Sequence, residues 1–306
     1  MKIGDQGDRV KDLQYKLKKV LNRNISVDGD YGNTTKQAVW DFQKLYNLYV
    51  DGVAGVNTLA TLDNAYKAMH QDNSGLLNFG KRRFVVFVDA GHGGINDKGS
   101  YVTSGKQAYH PGHQMHERGH YYEGYENRIN SEAFIEACTD VGIMCVRIYH
   151  PYKDTSLSDR TEIVRSWLKR GYYGYLHSFH SNAIASSNSP AKLESTRGYM
   201  VFNTRGNTFS DQIADQHFKH VQEATPGWTH RTQSAQDGDV DFEVNFQLIR
   251  ETDLKEFDGF FGAILDEWGF HTSAADTNYI INSRANRVGA CLKTVKWTKN
   301  KLKLIV

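Results

Sequence analysis

Val88-Asp89-Ala90-Gly91-His92-Gly93-Gly94 decides how the chain is read. It follows Phe84-Val85-Val86-Phe87, and a β-branched and aromatic run of this length bounded by glycine predicts a short buried strand rather than a helix. His92 then stands in a glycine turn at the carboxyl end of that strand. In open α/β sheets this end is where catalytic groups collect, because the loops there leave a crevice that no strand fills. The glycines let the backbone turn sharply and let other groups come close.

Two further segments have the same design. Tyr173 to Phe179 reads as a strand delivering His180, and Phe261 to Asp266 as one delivering Glu267 ahead of Trp268-Gly269-Phe270. If these strands are parallel neighbours, His92, His180 and Glu267 converge. A fourth group comes from a helix: apolar or small residues at Ile129, Phe134, Ala137, Cys138 and Val141 recur near helical spacing, and Gly142 ends the run. Glu123 falls in its first turn, where the helix dipole favours a carboxylate. Two neutral imidazoles and one carboxylate form the three-ligand set typical of catalytic zinc, with a fourth position open. His92, Glu123 and His180 are thus the candidate Zn2+ ligands, and Glu267, if it is not itself a ligand, is free to be the general base.

Taken in order, Val88 to Gly94, the Glu123-to-Asn127 spacing, Ser178-Phe179-His180-Ser181-Asn182-Ala183 and Leu265-Asp266-Glu267-Trp268-Gly269-Phe270 resemble the zinc-dependent N-acetylmuramoyl-L-alanine amidases of the amidase-3 type. The resemblance runs from about Arg83 to Leu302 and includes Leu157, Arg160 and Leu248-Ile249-Arg250. It implies an α/β domain with a mixed or mostly parallel sheet flanked by helices. It also implies hydrolysis of the amide between the lactyl group of N-acetylmuramic acid and the L-alanine of the stem peptide. In that reaction the metal polarises the carbonyl, and Glu267 takes a proton from water and hands it to the leaving amine. Arg250 is a second catalytic candidate, orienting Glu267 or stabilising an oxyanion, with a buried ion pair as the structural alternative. Asn182 is a candidate substrate contact. Ala90 stands where the family commonly has proline.

Residues 1–65 read as a separate all-α module of three helices. Leu13, Leu17 and Leu21 mark one apolar stripe and Ala38, Phe42, Leu45 and Tyr46 another. A repeat, Val27-Asp28-Gly29-Asp30-Tyr31-Gly32 and Val50-Asp51-Gly52-Val53-Ala54-Gly55, supplies a tight turn before each following helix. With Gly4-Asp5-Gln6-Gly7 and Ala38-Val39-Trp40-Asp41-Phe42-Gln43, the module resembles the N-terminal-type peptidoglycan-binding domain. Peptidoglycan is therefore the expected partner. Asp28, Tyr31 and Asp51 are the candidate contacts, the aspartates having turn formation as their alternative role; Trp40 and Phe42 are expected in the core or half-buried. Residues 66–82 read as a linker to a catalytic domain over 83–306, so the module tethers that domain to the polymer.

Residues 95–122 read as a long loop carrying His110, His113, His116 and His120, which are expected to line the groove or form a lid; His120 is the substitute ligand to consider. Glu126 rivals Glu123, since Glu126-Asn130 repeats its spacing. His177 reads as a hydrogen-bonded residue outside the site. Cys138, Cys145 and Cys291 read as buried hydrophobes of a reducing compartment. Lys299 to Val306 reads as a terminal strand or a frayed end.

A formal charge of +2 gives no footprint for nucleic acid, and 39% hydrophobic residues suffice for a core. No segment reaches membrane-spanning length, and no apolar leader follows Met1. The expectation is a monomer made in the host cytoplasm, without stable membrane association, acting on the wall after release as a phage endolysin does. The alternatives are a bacterial autolysin, a zinc peptidase cutting within the stem peptide, and a catalytically silent wall-binding protein. No G-x-S-x-G elbow and no G-x-G-x-x-G loop supports serine or dinucleotide chemistry.

Overall fold

The computed structural model describes residues 1–21, 23–46, 48–71, 83–96, 98–169, 171–233, 239–253 and 260–305. Most of the expected linker, 72–82, lies outside them.

The N-terminal helices are α1 (Asp8–Val20), α2 (Asn33–Leu45) and α3 (Val56–Gln71). Leu13, Leu17, Ala38, Val39, Phe42 and Leu62 close a core between them. The repeat seen in the sequence has a mechanical counterpart in two glutamines. Gln14 donates through Nε2 to Asp28 (2.8 Å), the Asp30 carbonyl (2.9 Å) and Thr35 (2.9 Å), and accepts from Gly29 N. Gln43 does the same one unit later, donating to Asp51 (2.8 Å), the Val53 carbonyl (3.0 Å) and Thr58 (3.2 Å), and accepting from the Asp51 and Gly52 amides. Each glutamine thus clamps an Asp-Gly turn to the helix before it.

This arrangement gives both aspartates the turn-forming role weighed for them and buries Tyr31. Asp28 and Asp51 are spent holding turns, each also accepting from the amide two residues on. Tyr31 is 1% exposed and donates its hydroxyl to the Gly52 carbonyl, tying the two turns together. Trp40 differs in the other direction, standing exposed between Lys36 and Lys44, while Phe42 is fully buried. Replacing Gln43 by Ala leaves buried turn amides without an acceptor, and each such loss costs about 1–3 kcal/mol. Chemical denaturation of the full chain should register this as early unfolding of the module; an unchanged midpoint would contradict it.

The second domain is built on β1 (Phe84–Ala90), β4 (Cys145–Arg147), β5 (Tyr173–Asn182), β6 (Tyr199–Thr204), β7 (Phe242–Val244) and β8 (Phe261–Phe270). They form one sheet in the order β4-β1-β5-β8-β6-β7. The first four are mutually parallel, β6 runs antiparallel to β8, and β7 is parallel to β6. The mostly parallel sheet flanked by helices matches the expectation.

All seven residues of β1 are buried, as strands covered on both faces require. Alternation then sorts them. Val85 and Phe87 pack with Val164, Trp167 and Ile249, beneath α5 (Leu157–Leu168) and α8 (Gln247–Thr252). Phe84, Val86 and Val88 pack with Phe134, Ile213, Phe218 and Val295, beneath α4 (Glu123–Asp140), α7 (Phe209–Ala224) and α10 (Arg284–Ile305). Ser156 caps α5 by accepting from Asp159 N. The remaining helices are α6 (Pro190–Ser195) and α9 (Ala274–Asn282). Tyr46 of the module meets Trp167 of α5 edge-on at 5.8 Å, and Arg147 of β4 reaches Thr61 of α3 at 3.5 Å, so the helical module abuts the β4 edge of the sheet.

Two local expectations are corrected. The long loop folds in part into a hairpin, β2 (Gln107–Tyr109) with β3 (His120–Tyr122). Lys299 to Ile305, read as a strand or frayed end, continues α10, with Leu302 on its buried face. The cysteines are unpaired, Cys138 and Cys291 buried and Cys145 half-buried. Among the described residues, no helix is long and apolar enough to cross a membrane.

Candidate active site

The parallel neighbours β1, β5 and β8 deliver their polar residues to one end of the sheet. His180 and Glu267 are register partners across β5 and β8, and His92 follows β1. The start of α4 brings Glu123 against them. Its Oε1 lies 3.3 Å from His92 Nε2 and 3.3 Å from His180 Nδ1, and accepts from Ser181 N at 3.2 Å. These three ligand-type atoms lie within 4.8 Å of one another.

Glycine makes the approach possible. A Cβ on Gly91 would sit 2.0 Å from Cε1 of His180, and one on Gly124 would sit 2.0 Å from the Gly93 carbonyl oxygen. Gly91 therefore admits the His180 ring, and Gly124 lets α4 abut the glycine turn. Gly91→Ala is expected to displace His180 and lower zinc affinity about 10–100-fold, the scale of a disturbed ligand shell. Equilibrium dialysis would check this, and unaltered binding in a folded variant would contradict it.

His92 itself adopts φ 64°, a conformation uncommon for a residue with a side chain. Two arginines hold it there. Arg128 donates to the His92 carbonyl at 2.8 Å and to the Gly124 and His150 carbonyls; burial pulls its guanidinium down to about 10, still a cation at neutral pH. Arg160 pairs with Asp89 in the core and donates to the Ala90 carbonyl at 3.0 Å, while Ser178 donates to the other Asp89 oxygen at 2.6 Å. The start of α4 has no side-chain cap of its own. Its amides go instead to the preceding loop: Glu123 N donates to the Lys106 carbonyl, and Gly124 N to the Tyr101 hydroxyl at 3.0 Å.

The two carboxylates have opposite electrostatics. Burial alone would raise the Glu123 carboxyl, but hydrogen bonds from His180 and His92 outweigh it and hold the group well below the usual range. Glu267 is pushed well above its ordinary value by burial and by the charge of Glu123. Both Glu123 Oε2 and Glu267 Oε2 are buried without a hydrogen-bond partner. Beside them His271, held through Nδ1 by the Ser181 carbonyl at 2.9 Å, stands 3.8 Å from Glu123 Oε2; burial lowers its pKa and keeps it neutral.

The donor set fits a tetrahedral divalent ion. Bonds of about 2.0–2.1 Å to zinc imply ligand separations of about 3.3 Å, which is the spacing from Glu123 Oε1 to each imidazole. Glu123 Oε2 and Glu267 Oε2, both without a hydrogen-bond partner, leave acceptor capacity that a cation or a proton would fill.

Other sequence candidates fall elsewhere. Arg250 is not a buried partner of Glu267: it is exposed on α8, bonded to Asn245 and Glu251. Glu126 binds His116 (2.9 Å) and Arg284 (2.8 Å), apart from the cluster. His116 accepts the Tyr122 amide at Nδ1 and so donates to Glu126 from Nε2. His110 donates to the His271 carbonyl, His113 meets Asn278, and His120 stacks on Tyr109 and Tyr122 rather than joining the cluster. Asn182 ends β5 two residues past His180, with its amide against Met200. His271 and Arg128 were missed by the sequence reading, although a histidine directly after the buried Trp268-Gly269-Phe270 was a signal for the first.

Residues 6–62 match the family model described as "Putative peptidoglycan binding domain". No curated protein sequence matches the chain. Among solved structures, the chain is similar to the N-acetylmuramoyl-L-alanine amidase AmiC2 of Nostoc punctiforme, at 16% identity over 71% of this chain and 97% of that one, with a TM-score of 0.51. The N-acetylmuramyl-L-alanine amidase Ami1 from Mycobacterium smegmatis gives the same identity, coverage and TM-score. That of Clostridium difficile 630 is 19% identical over 71% and 97% of the two chains, with a TM-score of 0.50. The chain thus joins an N-terminal segment matching the peptidoglycan-binding family to an α/β domain with the fold of the N-acetylmuramoyl-L-alanine amidases.

Proposed function

We propose that the protein hydrolyses the amide between N-acetylmuramic acid and L-alanine in peptidoglycan, with Zn2+ held by His92, Glu123 and His180. The observation that carries this is the pair of 3.3 Å separations around Glu123 Oε1 beside the unpartnered Glu267. A zinc ion held by these three residues would supply Lewis acidity toward the scissile carbonyl and the attacking water. Everything else falls to the chain. His92, fixed by Arg128 and Arg160, and His180, admitted by Gly91, keep their imidazoles aimed at one point. Glu267, whose proton affinity is raised by burial and by Glu123, takes the proton of the attacking water and returns it to the departing L-alanine nitrogen. The module keeps this domain on its polymer and raises the local substrate concentration.

A wall-binding unit ahead of a wall-cleaving one suits a phage endolysin that meets the host wall after release, the setting we infer for it. Chelator treatment should stop solubilisation of purified peptidoglycan, and added zinc should restore it. Activity that survives complete metal removal would overturn the zinc reading.

A further inference from the structure

We propose that His177, His217, Asp266 and Cys291 form a second, structural zinc site, buried beneath the sheet and independent of the first cluster. Each residue comes from a different element: β5, α7, β8 and α10. All four are 0% exposed, and their ligand-type atoms lie within 4.8 Å of one another.

The donor atoms of all four residues face one point; His177 and His217 stand at hydrogen-bond distance from Asp266, separations that a bound ion would open to the 3.3 Å found around Glu123. His177 Nε2 points at Asp266 Oδ2 (2.6 Å), His217 Nε2 reaches the same carboxylate (3.1 Å), and Cys291 Sγ is 3.9 Å from His177 Nε2. The outward atoms are each held by a hydroxyl: His177 Nδ1 by Tyr175 (3.2 Å), His217 Nδ1 by Thr294 (2.8 Å) and Asp266 Oδ1 by Tyr199 (2.7 Å). Outer-shell partners of this kind set the tautomer and aim of metal-binding imidazoles.

Charge and proton counting point the same way. Asp266 is a fully buried carboxylate, and among the described residues no lysine or arginine pairs with it; its ion-pair partners are the two histidines. Thr294 can donate its one hydroxyl proton to the Ala290 carbonyl one turn back, at 3.2 Å. In that arrangement His217 donates through Nδ1, and its Nε2 lone pair faces the Asp266 carboxylate. With Thr294 donating to His217 instead, Nε2–H bonds Asp266 directly, so it is the buried Asp266 charge and the fourth donor, Cys291, that favour a cation here. A zinc ion with two neutral imidazoles, one carboxylate and the Cys291 thiolate is neutral overall, which removes the cost of the buried charge. Binding releases the Cys291 proton to solvent. Four protein ligands and no solvent access make the site closed, the structural rather than the catalytic type. It would pin α7 and α10 to the sheet.

The test uses the full chain stripped of metal and loaded with Co2+ alone, read by metal content and visible absorption. Two cobalt ions per chain are expected, with a thiolate-to-cobalt charge-transfer band that the first cluster, having no thiolate, cannot give. Cys291→Ser should lose the band and one equivalent. Glu123→Ala should lose one equivalent and keep the band, which covers the case in which the serine variant does not fold. A wild-type chain that binds a single cobalt without the band, or a band that persists in Cys291→Ser and so arises from Cys138 or Cys145, would overturn the site.

Discussion

Glu267→Gln is expected to lower the rate of amide cleavage by about 10²–10⁴-fold, the usual worth of a positioned general base, while peptidoglycan binding and zinc content stay as they were. The substitution keeps the shape of the side chain and removes only its capacity to take a proton. Glu267 Oε2 is buried and unpartnered, so it serves no hydrogen bond that would explain its place in the fold. A second readout separates catalysis from structure. Burial and the nearby Glu123 raise the Glu267 pKa in the folded protein. A raised carboxyl means that the folded state binds more protons than the unfolded one, so stability is lost as pH climbs from the unfolded value of about 4.3 toward the folded one. In metal-stripped protein at neutral pH, Glu267→Gln should therefore be at least as stable as the parent. A variant that unfolds more easily, or one that keeps activity within tenfold, would remove Glu267 from the mechanism.

Arg160→Met should cost about 3–5 kcal/mol, because it leaves the Asp89 carboxylate buried without its cation. Arg160 is 2% exposed, and besides Asp89 it donates to the Thr155 and Ala90 carbonyls. Losing it frees the backbone just before His92, whose φ of 64° depends on these anchors. Denaturant unfolding should show the full penalty, with zinc affinity falling alongside. A loss under about 1 kcal/mol would mean that Asp89 is satisfied by Ser178 alone and that Arg160 does not hold the turn.

Much of this site could be read from the chain because strands carry their chemistry at fixed ends. A run such as Phe84 to Val88 has only one way to be buried on both faces, so the residue following it is delivered to the crevice, and His92, His180 and Glu267 obey that rule together. The Glu123 and Glu126 pair illustrates the limit. Both occupy the first turn of α4, and only tertiary packing sends one to His92 and His180 and the other to His116 and Arg284.

Arg250 follows the buried Leu248-Ile249, yet α8 is a single short helix and the face that carries Arg250 is solvent, which the apolar neighbours alone do not reveal. Tyr31 lies in a turn and is nevertheless buried, because the two turns of the module face each other across its hydroxyl. The C-terminal Lys-Leu-Lys-Leu pattern alternates like a strand, yet it follows a long helix that simply continues. His217 and His271 carry no local signal as strong as a glycine turn. Their meaning comes from which strand or helix lies opposite, and spacing along the chain does not encode that.

Digestion of purified peptidoglycan followed by mass spectrometry of the products tests the central claim most directly. The account predicts stem peptides released with free L-alanine amino termini and glycan strands left with free lactyl carboxyls, both absent after chelation. New termini inside the stem peptide, or between sugars, would contradict it.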